Sequence, residues 1–162
     1  MSATDLLTVL RKLRFLDQLG EEHLQQLAGI AREVSFAQGD VIFREGDPAQ
    51  DLYLLTHGLV SLEICSAGVG CRRILSLAPG ELLGWSPVLE GGQMTATARA
   101  VEPTSAIALD GKALLAICAE HPHFGYEFMR RAAMALAKRL RATRMQMLDI
   151  YGPVTHIPEN SD

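Results

Sequence analysis

The N-terminal part of the chain carries apolar residues at helical spacing. Leucines and an isoleucine recur every three or four residues there, so we predict helices over residues 4–31. Glu21 and Glu22 stand in the first turn of the second helix, where the helix dipole favours negative charge. The positions on the two apolar faces are Leu6, Leu7, Leu10, Leu13, Leu24, Leu27 and Ile30.

Between residues 34 and 109 the pattern changes to short apolar runs separated by turn residues. Runs such as DVIF, DLYLLT and LVSLEIC are divided by AQG, REGDPAQ and HG. Regularly spaced short strands with glycine at the bends are typical of rolls and barrels. We therefore predict a mainly β fold, an antiparallel jelly roll (double-stranded β-helix) with N-terminal helices and a long C-terminal helix.

After the roll the helical pattern returns. Asp110 suits the N-cap of a helix over residues 110–120, and a long helix over residues 123–151 ends at Gly152 and Pro153. Apolar positions on the long helix step by four and three, which predicts a heptad seam that pairs two copies of the chain in a homodimer. The seam comprises Met129, Ala133, Leu136, Leu140, Met147 and Ile150, with Thr143 as its polar member. Residues 1–152 then form one domain, followed by a tail over residues 153–162.

Composition narrows the class of protein. The chain has 162 residues, of which 48% are hydrophobic and 21% charged, as in an ordinary globular domain. Its formal net charge of -4 gives no overall attraction to nucleic acid or anionic lipid. No apolar run approaches the roughly 18–20 residues of a membrane helix, and the N-terminus lacks the basic start of a secretory signal. We expect a cytoplasmic protein without membrane contact.

Three segments carry a resemblance to a known family. They are GDVIFREGDPAQDLYLLTHGLVSL over residues 39–62, PGELLG over residues 79–84 and ALAKRLRATR over residues 135–144. With them the chain resembles the cyclic-nucleotide-binding domain of the catabolite activator (CRP/FNR) superfamily. The resemblance implies a regulatory domain that dimerises through its long helix. Transcription factors of that family continue into a helix-turn-helix, whereas only PVTHIPENSD remains here, so we expect no direct contact with nucleic acid.

The segment from Pro79 to Ala100 resembles the phosphate-binding cassette of that family. In the family, main-chain amides at a Gly-rich turn hold the cyclic phosphate, a Glu binds the ribose, and an Arg followed by Ser or Thr pairs with the phosphate. Here Trp85 stands at the Glu position and Met94 at the Arg position, whereas Thr95 keeps the hydroxyl. Pro87 replaces a small residue and has no amide to donate. The candidate ligand-binding residues are Gly80, Glu81, Gly84, Trp85, Ser86, Met94, Thr95 and Ala96.

Simple energetics predict weak nucleotide binding. A charge-assisted hydrogen bond contributes roughly 1.5–3 kcal/mol, so losing both contacts costs on the order of 3–6 kcal/mol. At about 1.4 kcal/mol per factor of ten, a micromolar site becomes millimolar. We therefore expect a non-enzymatic regulatory module without a cofactor. It either senses another small molecule or has no ligand and serves as an interaction domain.

Two alternatives remain open. The chain is a working cyclic-nucleotide receptor if an arginine from elsewhere, such as Arg99, supplies the phosphate contact. It is also compatible with the sensor half of a CRP/FNR-type transcription regulator. Thr143 aligns with the residue of the family that hydrogen-bonds the purine, which makes it a candidate contact on the base side. A threonine on the seam equally well sets register or bonds back to its own helix.

We interpret the cysteines and the two neighbouring histidines as structural residues. Cys65 and Cys71 flank SAGVG and face one another across a hairpin, and we predict that they stay reduced in the cytoplasm. Cys118 lies on an apolar helix face and is expected in the core. His121 and His123 at a helix start lack a third ligand nearby, so we expect no metal site. No set of nucleophile, base and orienting group indicates catalysis.

Overall fold

The structure is a computed structural model that describes residues 3–89 and 92–150. The helices are α1 (Ala3–Lys12), α2 (Glu21–Ile30), α3 (Ser86–Leu89), α4 (Gly111–Glu120) and α5 (Pro122–Ile150), with a 3-10 helix at Arg14–Leu16. The strands are β1 (Ala31–Phe36), β2 (Val41–Phe43), β3 (Asp51–His57), β4 (Val60–Ser66), β5 (Gly70–Leu77), β6 (Leu82–Leu83), β7 (Thr97–Ala100) and β8 (Thr104–Asp110). The predicted helix end at Gly152 and Pro153, and the tail, lie outside the described residues.

The strands form two four-stranded sheets, in the orders β1-β8-β3-β6 and β2-β7-β4-β5. The pairs within both sheets are antiparallel. The predicted jelly roll with helices at both ends is therefore confirmed. The first strand begins at Ala31, earlier than the predicted roll, because a continuous ladder from Ala31↔Leu109 to Phe36↔Thr104 extends the sheet into the segment that resembled a helix end.

Two hydrophobic cores hold the domain together. One lies between the helices and the sheet that contains β1, β8, β3 and β6, and the other lies inside the roll between the two sheets. Burial of apolar side chains removes their surface from water and is the main source of stability. The helix-side core includes Leu10, Leu27, Leu52, Leu109, Phe124 and Phe128. The roll core includes Leu55, Val60, Leu77, Leu83, Ala98 and Ala106.

The start of α4 is fixed by a cap and by a close approach to α3. The Asp110 carboxylate accepts a hydrogen bond of 2.8 Å from the amide of Ala113, which confirms the predicted N-cap. A Cβ at Gly111 would lie 2.4 Å from Cβ of Pro87, so only glycine permits this contact between α4 and α3. At the next crossing, a Cβ at Gly125 of α5 would lie 2.9 Å from the carbonyl oxygen of Cys118 in α4. Helix α3 is therefore in contact with the start of α4, and α4 is in contact with α5.

The prediction that Cys65 and Cys71 stay reduced is wrong for this structure, which joins them in a disulfide. They are direct partners in the antiparallel hairpin of β4 and β5, with their Cα atoms 3.9 Å apart. Opposed positions on adjacent strands bring the two Cβ atoms close enough for the two sulfur atoms to bond. The pairing of the two cysteines in the hairpin therefore overrides the expectation that thiols stay reduced in the cytoplasm. Cys118 is a free thiol, partly buried, and burial raises its pKa.

Two further expectations concern metals and membranes. Among the described residues, the group of three potential metal ligands is Glu63 with Cys65 and Cys71, and both sulfurs are committed to the disulfide. His121 instead shares a hydrogen bond of 2.8 Å with the side-chain amide of Gln26. Within the described ranges, no helix has the length and apolar character needed to cross a membrane.

Candidate functional site

The frame of the predicted cassette is present. At the turn after β5, Gly80 donates its amide to the Leu55 carbonyl at 2.8 Å and adopts a positive φ of 90°. The Glu81 carboxylate accepts a hydrogen bond of 2.7 Å from the amide of Ala78 and so closes the turn. Gly84 also has a positive φ, of 82°, and a Cβ there would lie 3.2 Å from the Asp51 carbonyl oxygen. Glycine is required at that position because the chain passes close to β3 in a left-handed conformation.

The two substituted cassette positions are buried in the protein cores. Trp85 is 7% exposed and belongs to the helix-side core, where its ring centroid lies 5.9 Å from that of Phe15. Met94 is 4% exposed and belongs to the roll core. Its amide donates to the Asp47 carbonyl at 2.8 Å, which holds the end of the cassette against the turn before β3. Both positions that carry polar side chains in the resembled cassette therefore serve packing in this chain.

Six of the predicted site residues line one cavity beneath α5, which we call the cassette cavity. It has a volume of about 260 Å³. Ser86 is buried in its wall and Thr95 is exposed at its rim. Its lining comprises Gly84, Trp85, Ser86, Met94, Thr95 and Ala96 from the cassette, together with Phe43, Leu62, Leu89, Leu136 and Arg139. The structure brings these six cassette residues together around one cavity.

The other predicted residues line a separate space, which we call the groove. It lies between the turn after β5 and α5 and has a volume of about 550 Å³. Gly80, Glu81 and Thr143 all border it, but none of them borders the cassette cavity. The Thr143 hydroxyl donates to the carbonyl of Arg139 at 2.9 Å, which is the back-bonding role that the sequence left open. Basic side chains from Arg14 and Lys138 also border the groove.

Arg139 is the residue that borders both spaces, and the sequence reasoning missed it. Its guanidinium donates to the main-chain carbonyl of Leu82 in β6. Burial lowers the pKa of Arg139 below its usual range, and the charge of Glu81 opposes that effect. The sequence feature that could have identified Arg139 as a site residue is its position one helical turn before Thr143, on the same face of α5.

The arginine considered as a substitute phosphate contact has other partners. Arg99 forms an ion pair with Glu63, with Nε and Oε2 3.4 Å apart, and donates to the Gly39 carbonyl at 3.2 Å. It borders neither the cassette cavity nor the groove. This geometry gives no support to Arg99 as a ligand for a phosphate in the cassette.

The predicted dimer seam divides into a packed part and an exposed part. Met129 and Leu136 pack against the helix-side core of their own chain. Ala133 is exposed, and so are Leu140 and Met147 further along α5. The side chain of Ile150 lies outside the described part of the chain. A second copy of the chain is therefore not needed to cover Met129 and Leu136, and dimerisation stays a prediction.

Comparisons with known proteins identify the family and agree with the fold. The profile of the cyclic nucleotide-binding domain family matches residues 33–121. The cyclic AMP receptor protein of Thermus thermophilus is 36% identical over 112 residues, which cover 69% of this chain and 50% of that protein. The crystal structure of the Thermus thermophilus catabolite activator protein is 32% identical with a TM-score of 0.66, covering 84% of this chain and 62% of that chain.

The same fold also occurs in an enzyme. A cAMP-binding acyltransferase from Mycobacterium smegmatis has a TM-score of 0.68 and 27% identity, covering 84% of this chain and 42% of that chain. The chain spans about half the length of the curated relatives it matches. The match to the family profile extends over more than half of the sequence and coincides with the roll. The chain therefore belongs to the cyclic nucleotide-binding domain family.

Proposed function

We propose that this chain is a non-enzymatic regulatory module that senses a small molecule other than a cyclic nucleotide through the cassette cavity. The observation that carries the proposal is the burial of Trp85 and Met94 in the two cores. The indole at the Glu position provides no acceptor for ribose hydroxyls, and the thioether at the Arg position provides no counter-charge for a phosphate. Losing two charge-assisted contacts weakens binding by on the order of 3–6 kcal/mol.

The cavity itself supports a ligand role over a purely structural one. The turns at Gly80 and Gly84 of the cassette are present, and a space of about 260 Å³ remains beneath α5 although Trp85 and Met94 in its lining are core residues. Protein interiors are otherwise packed with few voids larger than a water molecule. A retained concave site with a few polar groups is the usual form of a small-molecule site. The role as an interaction domain without a ligand is the alternative that this cavity disfavours.

Direct titration tests the proposal. Cyclic AMP and cyclic GMP are added to the full chain while heat of binding and Trp85 fluorescence are recorded, with the Thermus thermophilus receptor as a parallel control. We expect no saturation below the millimolar range, because main-chain amides and Thr95 do not replace the two lost side chains. A saturable micromolar signal in both measurements would identify a working cyclic-nucleotide receptor and contradict the proposal.

A homodimer through α5 belongs to the same proposal. Leu140 is 53% exposed in the single chain, and a second copy that packs along the seam would bury it. We expect light scattering at micromolar concentration to give the mass of a dimer, and Leu140→Asp to give that of a monomer. Met134→Asp changes an exposed apolar residue of α5 outside the seam and should leave the mass unchanged. A monomeric wild type would contradict this part.

Location and partners complete the proposal. We propose a cytoplasmic module without enzymatic activity and without direct contact to nucleic acid, in line with its net charge of -4. The Cys65–Cys71 disulfide is the observation that runs against a reducing compartment. Differential alkylation of thiols in freshly lysed host cells measures its state. Complete oxidation there would favour a non-cytoplasmic location.

A further inference from the structure

The cassette cavity contains one cationic side chain, and no carboxylate borders it among the described residues. The cation is Arg139, and the two hydroxyl groups of the lining belong to Ser86 and Thr95. We propose that this cavity binds a small apolar monocarboxylate whose carboxylate pairs with Arg139. The inference rests on the proposed function and names the class of molecule for that same site.

The charge of Arg139 is not neutralised by an ion pair within the described part of the chain. The Arg139 guanidinium donates to the Leu82 carbonyl, and a guanidinium has five N–H donors in all. The nearby carboxylate of Glu81 accepts from the amide of Ala78 and borders the groove rather than the cavity. A partly buried cation without an ion-pair partner among the described residues is a natural partner for an anion that enters the cavity.

The rest of the cavity lining determines which chemical groups can accompany the carboxylate of the ligand. Apolar side chains from both the roll and α5 face the cavity, including Phe43, Leu62 and Leu136. These apolar side chains offer no hydrogen-bond partners to the ring nitrogens of a base or the hydroxyl groups of a sugar, and burying such groups against them is costly. The volume of about 260 Å³ lies below the roughly 300–1,000 Å³ of sites for drug-sized ligands. The site therefore fits a compact aromatic or branched aliphatic acid.

The position of Arg139 on α5 also favours a single negative group at one end of the ligand. Arg139 lies on α5 and borders both the cavity and the groove, while the apolar residues Leu62 and Met94 border the cavity from the roll. A planar guanidinium matches the geometry of a carboxylate, with two parallel N–H···O hydrogen bonds. An acid with its carboxylate toward Arg139 and its apolar end toward the roll satisfies both parts of the lining.

A matched pair of probes tests the inference on the full chain. The probes are 3-phenylpropionate and its neutral amide, 3-phenylpropanamide, each titrated by calorimetry with Trp85 fluorescence as a second signal. We expect saturable binding of the acid in the high-micromolar to low-millimolar range, as is usual for a ligand of this size. The amide should bind at least about tenfold more weakly, because it cannot form the charge-assisted pair.

Variants locate the binding site. Arg139→Gln should weaken binding of the acid at least about tenfold and leave the amide unchanged, and Arg139→Lys should keep the preference for the acid. Arg141→Gln is the matched control, because Arg141 is an exposed arginine of α5 that borders neither space, and it should change nothing. Circular dichroism confirms that each variant is folded.

Several outcomes would overturn the inference. Equal binding of acid and amide, no binding of the acid, or an Arg139→Gln variant that binds the acid as the wild type does would each do so. An equal loss in Lys138→Gln would place the ligand in the groove, which Lys138 borders, and would also overturn it. These results are distinct from micromolar binding of cyclic AMP, which contradicts the proposed function itself. A chain that binds neither the acid nor the nucleotide fails this inference alone.

Discussion

Replacing Trp85 by Glu and Met94 by Arg together is expected to raise the affinity for cyclic AMP by about two orders of magnitude or more. Both substitutions restore polar contacts of the resembled cassette, and each charge-assisted contact contributes roughly 1.5–3 kcal/mol. The cassette frame is already in place around them, since Gly80 and Gly84 hold the turn in its left-handed conformations. Calorimetric titration of the double variant against the wild type measures the gain.

The matched control replaces the same residues by polar but uncharged ones, as Trp85→Gln with Met94→Gln. This variant loses the same two apolar side chains and should gain much less affinity, because it lacks the counter-charge for the phosphate. The single variant Met94→Arg disturbs only one core and should gain about tenfold. A folded double variant that still ignores the nucleotide would show that the pocket is remodelled beyond these positions, with Pro87 the next residue to change.

Trp85→Ala is expected to lower the free energy of unfolding by about 3–5 kcal/mol, the range for truncating a large buried aromatic residue. Trp85 is 7% exposed and packs with Phe15 in the helix-side core, so its removal leaves a cavity at the junction of the roll and the helices. Urea unfolding followed by circular dichroism gives the difference.

Tyr126→Ala is the control for that experiment. Tyr126 is also an aromatic residue, but it is 64% exposed on α5, and its truncation should change the free energy of unfolding by no more than about 0.5 kcal/mol. A loss of unfolding free energy for Trp85→Ala as small as that for Tyr126→Ala would mean that Trp85 does not stabilise the packing of the helices against the roll. Its place at the cassette would then need a different explanation.

Much of the fold was predictable from the sequence because its determinants are local. Glycines mark the bends between short apolar runs, and Asp110 before an apolar helix acts as the expected N-cap. The exception at the start of the roll is instructive. The helical pattern predicts Ala31 as the last helical residue, but its ladder with β8 pairs its main-chain groups and makes it the first residue of β1.

The candidate site was predictable only in part, because its remaining features depend on contacts between distant segments. The cassette positions are adjacent in sequence and were identified together. The contact between Trp85 and Phe15 joins segments far apart along the chain, and no periodicity indicates it. Arg139 borders both the cavity and the groove only because α5 lies over the roll. The sequence predicts that Cys65 and Cys71 face one another, but their bond was missed because a reducing compartment was expected.

The two close approaches at Gly111 and Gly125 define how a change in the cavity would spread through the domain. Pro87 of α3 is in contact with the backbone at Gly111 of α4, and no methyl group would fit between them. Gly125 is also in close contact with Cys118 near the C-terminal end of α4. Tightly packed contacts of this kind do not absorb displacement. If a ligand moves α3, we therefore expect α4 and then the long helix to move with it, which would transmit occupancy of the cavity to the surface that we propose pairs with a second subunit.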